Sequence, residues 1–299
     1  MRPVVSVCMI TYNHERYIKQ AIEGVLMQRC TFSYELVIGE DNSTDSTRKL
    51  CEKKFRENPD IIRLLPSGDN LGMMPNFIRS LKACQGKYIA LCEGDDYWTD
   101  PHKLQKQVDF LEQNSSFSFC FHNSEVLIEN KEVRFSEPFT STPTNPVTFS
   151  DVVTGNFIPT ASVVLRNNID PLPEWFRFVS SGDRALFGLL ALQGDGYFMP
   201  EKMAVYRKHL AGVSETPSDS YEVKIKNSHR KLILYKGLNK TSEKRYADVL
   251  NPIIAGYYWG IMINGFRAGK ILAGLSGFLM VCMFDPGLIV RKVRKPLHR

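Results

Sequence analysis

From Val4 to Ile10 the chain reads VVSVCMI, an almost unbroken apolar, β-branched run that predicts a strand buried on both faces. Thr11-Tyr12-Asn13-His14 ends it, and Ile18, Ala21, Ile22, Val25 and Leu26 then recur at helical spacing. The plan repeats. Leu36-Val37-Ile38 reads as strand, Gly39-Glu40-Asp41 as its end, and Asn42 to Asp45 as cap residues for a helix reaching Phe55. Ile61 to Leu65 is a third strand, followed by a loop over residues 67–72. Phe77, Ile78 and Leu81 mark a helix that stops near Gln85-Gly86. Tyr88 to Cys92 is a fourth strand, running straight into Glu93-Gly94-Asp95-Asp96-Tyr97-Trp98. Asp100-Pro101 predicts an N-cap with proline at the first helical position, and Leu104, Val108 and Leu111 the buried stripe.

Strand and helix alternating four times imply an α/β fold with a mostly parallel, Rossmann-like sheet covered by helices on both faces. Ligands of such sheets sit outside the carboxyl ends of the strands. Thr11 to Asn13, Glu40-Asp41 and Glu93 to Asp96 all fall at that edge. Beyond residue 117 the pattern loosens. Phe117 to Ile128, Val133 to Phe135, Ala161 to Leu165 and Met203 to Tyr206 read as strands, with a proline- and threonine-rich loop over 138–148. Ser180-Ser181-Gly182-Asp183 caps an apolar helix reaching Leu192, and Arg207-Lys208-His209 ends the last strand. A basic helical stretch (221–245) and two apolar stretches (249–266 and 271–284) follow. Neither apolar stretch meets the ~20 residues of a spanning helix.

Charge sharpens this division. Residues 221–299 hold 15 Lys/Arg against 4 Asp/Glu, a balance of +11, so the net +6 leaves −5 on residues 1–220. An acidic body excludes nucleic acid as its partner, while the basic end suits an anionic membrane surface. Lying on a membrane, packing on the body and forming a homo-oligomer through these helices all remain open for that end. The seven cysteines are scattered without CxxC spacing, and no charged-then-apolar leader opens the chain. Both favour a cytoplasmic setting, peripheral on the membrane if the tail binds there.

The densest chemistry lies after the fourth strand. Carboxylates at a buried strand end are costly without partners, and their mutual repulsion would be relieved by a divalent cation. His14, His102, His122, His229 and His298 have no sequence companions that suggest a site and read as structural.

The ordered set Val5 to Asn13, Gly39 to Asp45, Asn70-Leu71-Gly72 and Glu93 to Trp98 resembles family 2 glycosyltransferases of the GT-A fold, over residues 4–214. That resemblance implies inverting transfer of a sugar from a nucleotide diphosphate donor, UDP-linked, to a glycan or lipid-linked acceptor in bacterial surface-polysaccharide synthesis. It implies a catalytic domain at 1–215 and a basic helical extension at 216–299. Carried over by residue, Thr11, Tyr12, Asn13, Asp41 and Asn70 would hold the nucleotide, and Asp95 the ribose or a water of the metal shell. Asp96 and His209 would hold Mg2+ or Mn2+, and Arg207 the diphosphate. Asp183 would be the catalytic base, with Trp98 and Glu93 facing acceptor or sugar. Two alternatives stay open: a non-catalytic sugar-nucleotide-binding protein of this fold, and a nucleotidyltransferase. Against the latter, Thr11 to His14 stands where a glycine- and lysine-rich phosphate loop belongs.

Overall fold

The computed structural model describes residues 2–129, 133–136, 143–155, 158–209 and 220–294. His298, Lys295, residues 138–142 of the expected loop and the expected domain boundary at 215 lie outside them. The chain divides into two compact units: Met1–Leu172 with Leu186–Gly212, and Pro173–Ala185 with Val213–Arg299.

The first unit opens with the predicted alternation: β1 (Val5–Thr11), α1 (Ile18–Leu26), β2 (Tyr34–Glu40), α2 (Thr47–Glu57), β3 (Ile62–Leu64), α3 (Met73–Ala83) and β4 (Tyr88–Leu91). β1 pairs in parallel with β2 and β4, and β2 with β3, as the buried apolar runs require. β5 (Tyr97–Trp98), α4 (Lys103–Gln113), β6 (Phe117–Glu129), β7 (Val133–Ser136), α5 (Phe149–Thr154), β8 (Val164–Arg166), α6 (Gly182–Ala191) and β9 (Asp195–His209) follow. Among the described residues, nine strands form one sheet in the order β3-β2-β1-β4-β8-β6-β9-β5, with β7 on β6. Beyond β4 the sheet is mixed: β8 runs antiparallel to β4 and β6, β9 parallel to β6, and β5 antiparallel to β9.

Several boundaries differ from the sequence pattern, among them the strand expected over Met203 to Tyr206, which runs from Asp195 to His209. The Asp100 carboxylate accepts the His102 N–H at 2.8 Å in a turn ahead of the helix, so α4 starts at Lys103 rather than at Pro101. The expected strand from Ala161 to Leu165 divides into a 3-10 turn (Thr160–Ser162) and β8. The stripe of α4 is as predicted, with Leu104, Val108 and Leu111 buried. These side chains join Val5, Val7 and Met9 of β1 and Ile18, Ile22 and Val25 of α1 in one core.

Lys103 is buried in the same region. Its Nζ donates to Gln107 Oε1 at 2.7 Å and lies 4.1 Å from the centre of the Trp98 ring. Burial pushes the amine down to about 7. An unfolded chain binds this proton up to its ordinary value of about 10.4. Stability from this group is therefore fully present above that value and is lost as pH falls towards 7. Lys103→Met should cancel the slope: thermal melts compared across pH 7 to 9 should show the wild type gaining on the variant as pH rises.

Among the described residues, the second unit holds a 3-10 turn (Glu174–Phe178), the start of α6, and the helices α7 (Tyr221–Thr241), α8 (Ala247–Arg267), α9 (Ile271–Phe284) and α10 (Gly287–Arg294). Trp175 packs against Gly237 of α7 and donates its indole N–H to Thr241 Oγ1 at 3.1 Å. Among the described residues, no helix is long and apolar enough to cross a membrane.

Candidate active site

The carboxyl ends of β1, β2 and β4 are bonded to one another. Asp41, just past β2, donates its N–H to the Thr11 carbonyl at 3.1 Å, and Gly94 donates to the Ile10 carbonyl at 3.0 Å. Asn13 adopts the left-handed conformation (φ 55°), which aims its side chain back at the second strand end. There its Oδ1 accepts the Thr44 N–H at 2.9 Å, while its own N–H donates to Ser43 Oγ at 3.0 Å. The Asp41 carboxylate is buried and accepts the N–H groups of Leu71 (3.0 Å) and Gly72 (2.8 Å). Asn70 Nδ2 donates to the Asp41 carbonyl at 2.8 Å. Asp41 therefore orients the 70–72 loop rather than capping α2, where Asp45 accepts the Thr47 N–H at 2.9 Å.

Glu93-Gly94-Asp95-Asp96 forms a tight turn, closed by the Asp96 N–H on the Glu93 carbonyl at 3.2 Å. β5 leaves this turn antiparallel to β9, with Tyr97 opposite Val205. That register carries Arg207 and His209 to the two aspartates. The Arg207 N–H donates to Asp96 Oδ1 at 2.8 Å, and His209 Nε2 meets Asp95 Oδ2 at 3.1 Å. His14 Nε2 reaches the same Asp95 oxygen at 3.8 Å. The three residues bring donor atoms within 4.8 Å of one another. The His14 and Asp95 side chains are 18% and 21% exposed against 3% for His209, so the cluster opens to solvent on the His14–Asp95 side.

The adjacent aspartates are pushed in opposite directions. Burial alone would raise the Asp95 carboxyl, but the hydrogen bond from His209 and the positive potential of both histidines outweigh it and hold it below its ordinary value. Asp96 is driven well above the carboxylate range by burial and by the neighbouring Asp95 charge. His14 is lowered, chiefly by burial. His14 Nδ1, His209 Nδ1, Asp96 Oδ2 and Thr11 Oγ1 are buried with no hydrogen-bond partner among the described residues.

Several expected placements change. Asp96, expected on the metal, is 1% exposed and spends one oxygen on the backbone of β9; Asp95 is the carboxylate that meets the histidines. Arg207, expected on the diphosphate, is 6% exposed and lies between the rings of Tyr17 and Tyr97, at 5.0 and 4.5 Å. Its guanidinium donates to the Asp95 carbonyl and to Gln20 Oε1, so it braces the turn from within. Trp98, expected to face acceptor or sugar, is 2% exposed in the core and donates its indole N–H to the Ala161 carbonyl at 2.8 Å. Successive strand residues point to opposite faces, so Tyr97 turns to Arg207 and Trp98 turns inward. His14, read from sequence as structural, belongs to the cluster. The available signal was its place three residues past Thr11, on the ligand-bearing edge. Tyr12 is exposed at that edge, and Glu93 is half-buried in the turn. Asp183 stands half-buried in the first turn of α6 and is counted in the second unit. His122 keeps a structural part, buried with Nδ1 2.7 Å from the Asn123 carbonyl.

Residues 6–158 match the family described as Glycosyl transferase family 2, a span running from β1 through the acidic turn into α5 and beyond. The chain belongs to that family. An uncharacterized protein of Mycobacterium tuberculosis (strain ATCC 25618 / H37Rv) is 36% identical over 217 residues, covering 70% of this chain and 60% of the relative. The chain thus matches less than two thirds of that relative's length. The glycosyltransferase WfgD of Escherichia coli, named UDP-Glc:alpha-D-GlcNAc-diphosphoundecaprenol beta-1,3-glucosyltransferase, is 30% identical over 187 residues, covering 62% of this chain and 68% of WfgD. Among solved structures, the mannosyltransferase PcManGT from Pyrobaculum calidifontis in complex with GDP-Man and Mn2+ is similar, with a TM-score of 0.57 at 13% identity. It covers 98% of this chain and 84% of that one. That likeness is one of fold, and the architecture is the GT-A type expected of a family 2 glycosyltransferase.

The cluster of this family 2 chain suits a divalent cation. Two imidazoles and one carboxylate, with donor atoms within 4.8 Å of one another, are the kind of set that would hold such an ion. Gly94 keeps the turn close to β1. A Cβ there would lie 2.5 Å from Thr11 Oγ1 and 2.7 Å from Thr11 Cβ. Gly94→Ala should cost about 1–3 kcal/mol of stability, read by urea unfolding, because the acidic turn must back away from β1.

Proposed function

We propose that this chain is an inverting glycosyltransferase that moves a sugar from a UDP-linked donor to a hydroxyl of a glycan or lipid-linked acceptor, in synthesis of a cell-surface polysaccharide. The observation that carries this reading is the convergence of Asp95, His14 and His209 beside Thr11 and Asp41, at the edge where such sheets bind nucleotides. Asp41 suits a uracil imide. A carboxylate offers about four lone-pair sites, and Leu71 and Gly72 fix its plane while using two. Asn13 and Asn70 hold the flanking loops, and Tyr12 is exposed beside the nucleoside position.

Asp95, His209 and His14 would hold the cation, which when bound supplies neutralisation of charge on the departing diphosphate. Imidazole nitrogens favour Mn2+ over Mg2+ at such a site. Asp96 and Arg207 position the turn. Asp183 would take the proton of the acceptor hydroxyl as that oxygen attacks. The name of WfgD, with UDP-Glc and a diphosphoundecaprenol acceptor, supports donor and acceptor class by likeness, and that of PcManGT, in complex with Mn2+, supports the metal.

Hydrolysis without acceptor tests this reading against a non-catalytic sugar-nucleotide binder. UDP-glucose, UDP-N-acetylglucosamine and GDP-mannose would each be incubated with Mn2+ and with chelator. The proposal expects slow, metal-dependent release of UDP from a UDP-sugar. Tight nucleotide binding with no release from any donor would favour the non-catalytic alternative.

A further inference from the structure

α9 is packed with its small residues inward and its large apolar residues outward. α9 buries Gly274, Gly277 and Val281. A Cβ on Gly277 would lie 2.7 Å from the Met262 backbone nitrogen, and one on Gly265 would lie 2.8 Å from the Gly274 nitrogen, so α8 and α9 touch backbone to backbone. The opposite face of α9 presents Leu272 (84% exposed), Leu275 (49%), Leu279 (66%) and Met283 (63%), with Ile271 and Phe278 on its flank. A helix facing water on that side would be polar there. Small residues at the helix contact and large apolar ones facing out is the arrangement expected of helices solvated by lipid.

Length and charge decide how such a surface would be used. α9 has 14 residues. At about 1.5 Å per residue it cannot cross a hydrocarbon core about 30 Å thick, so it would lie in the plane of the bilayer. Basic residues bracket it: Arg267 and Lys270 precede it, and Arg291 and Lys292 on α10 follow, with Lys270 paired to Glu222 at 2.6 Å and Arg291 paired to Asp285. Asp285 is the single acidic residue from 267 to 299. The balance of this stretch stays positive, with Arg267 and Lys292 in addition to the paired Lys270 and Arg291, and it suits lipid headgroups of the opposite sign better than a second copy of the same basic surface.

We propose that the outer face of α9, with the basic residues at its two ends, docks this protein onto an anionic lipid bilayer. The surface lies in a different unit from the nucleotide edge, and the inference stands whether or not transfer is measured. Leu272 and Leu279 are exposed, so Leu272→Glu/Leu279→Glu should leave the fold intact, checked by an unchanged thermal melt.

Sedimentation of the full chain with vesicles is the test. Wild type should pellet with vesicles of phosphatidylcholine mixed with phosphatidylglycerol, and less with phosphatidylcholine alone. Binding should weaken with added salt, and the double variant should bind about ten-fold or more weakly. Wild type that stays in the supernatant with both vesicle types would overturn the proposal. So would a wild-type dimer, by light scattering, that the double variant converts to monomer, since a second copy would then cover the face.

Discussion

Asp95→Asn should lower sugar transfer by about a thousand-fold and abolish the effect of Mn2+ on nucleotide binding. Asparagine keeps the size and one carbonyl oxygen but removes the charge, and the charge is what the surroundings of Asp95 are arranged to keep. His209 at 3.1 Å and His14 at 3.8 Å share one of its oxygens. Without the anion those histidines face each other, 6.1 Å apart between ring centres, with nothing to balance a cation. The fold should survive, because Arg207 braces the turn through the Asp95 backbone carbonyl and not its carboxylate. Asp96→Asn makes an informative pair. It keeps an acceptor for the Arg207 N–H and leaves the donor set of Asp95, His14 and His209 in place, so its loss should be smaller. Transfer and Mn2+-dependent binding of UDP, measured on both variants, check this order. Asp96→Asn more damaging than Asp95→Asn would return the metal to Asp96.

Asp183→Asn should lower transfer by about a hundred- to ten-thousand-fold while leaving the affinity for UDP unchanged, the signature of a lost general base. A carboxylate in the first turn of a helix is also favoured by the helix dipole, and α6 begins at Gly182. That structural part alone would show as a lower melting temperature with transfer intact. Asparagine caps and tolerates helix starts well, so the substitution separates the two roles. Acceptor-dependent transfer, donor binding and thermal melts on one preparation distinguish them.

How much of this could be read from the sequence depended on the range of the interaction. β1 to β4 and α1 to α4 were legible because local periodicity dictates them, and so was the convergence of Thr11, Asp41 and the acidic turn, since parallel connectivity places strand ends on one edge. The second half of the sheet was not, because the pairing of β9 with β6 and β5 is non-local and leaves only a weak trace. That pairing explains the placements that changed. It sets the Arg207 guanidinium under the turn between Tyr17 and Tyr97, and it lays Val205 opposite Tyr97, so that Trp98 turns to the core. It also brings His209 to His14, a companion that no neighbouring residue of His14 foretells. The burial of Lys103 against Trp98 was equally hidden, since a lysine in a first helical turn ordinarily meets solvent.

The central claim is that the cluster of Asp95, His14 and His209 joins a cation to a nucleotide diphosphate at the edge of the sheet. Calorimetric titration of UDP into the full chain, with Mn2+ and then with chelator, tests it most directly. Binding that strengthens at least about ten-fold with Mn2+ in the wild type, and is indifferent to Mn2+ in Asp95→Asn, is the predicted result. UDP affinity that is the same with and without Mn2+ in the wild type would contradict it.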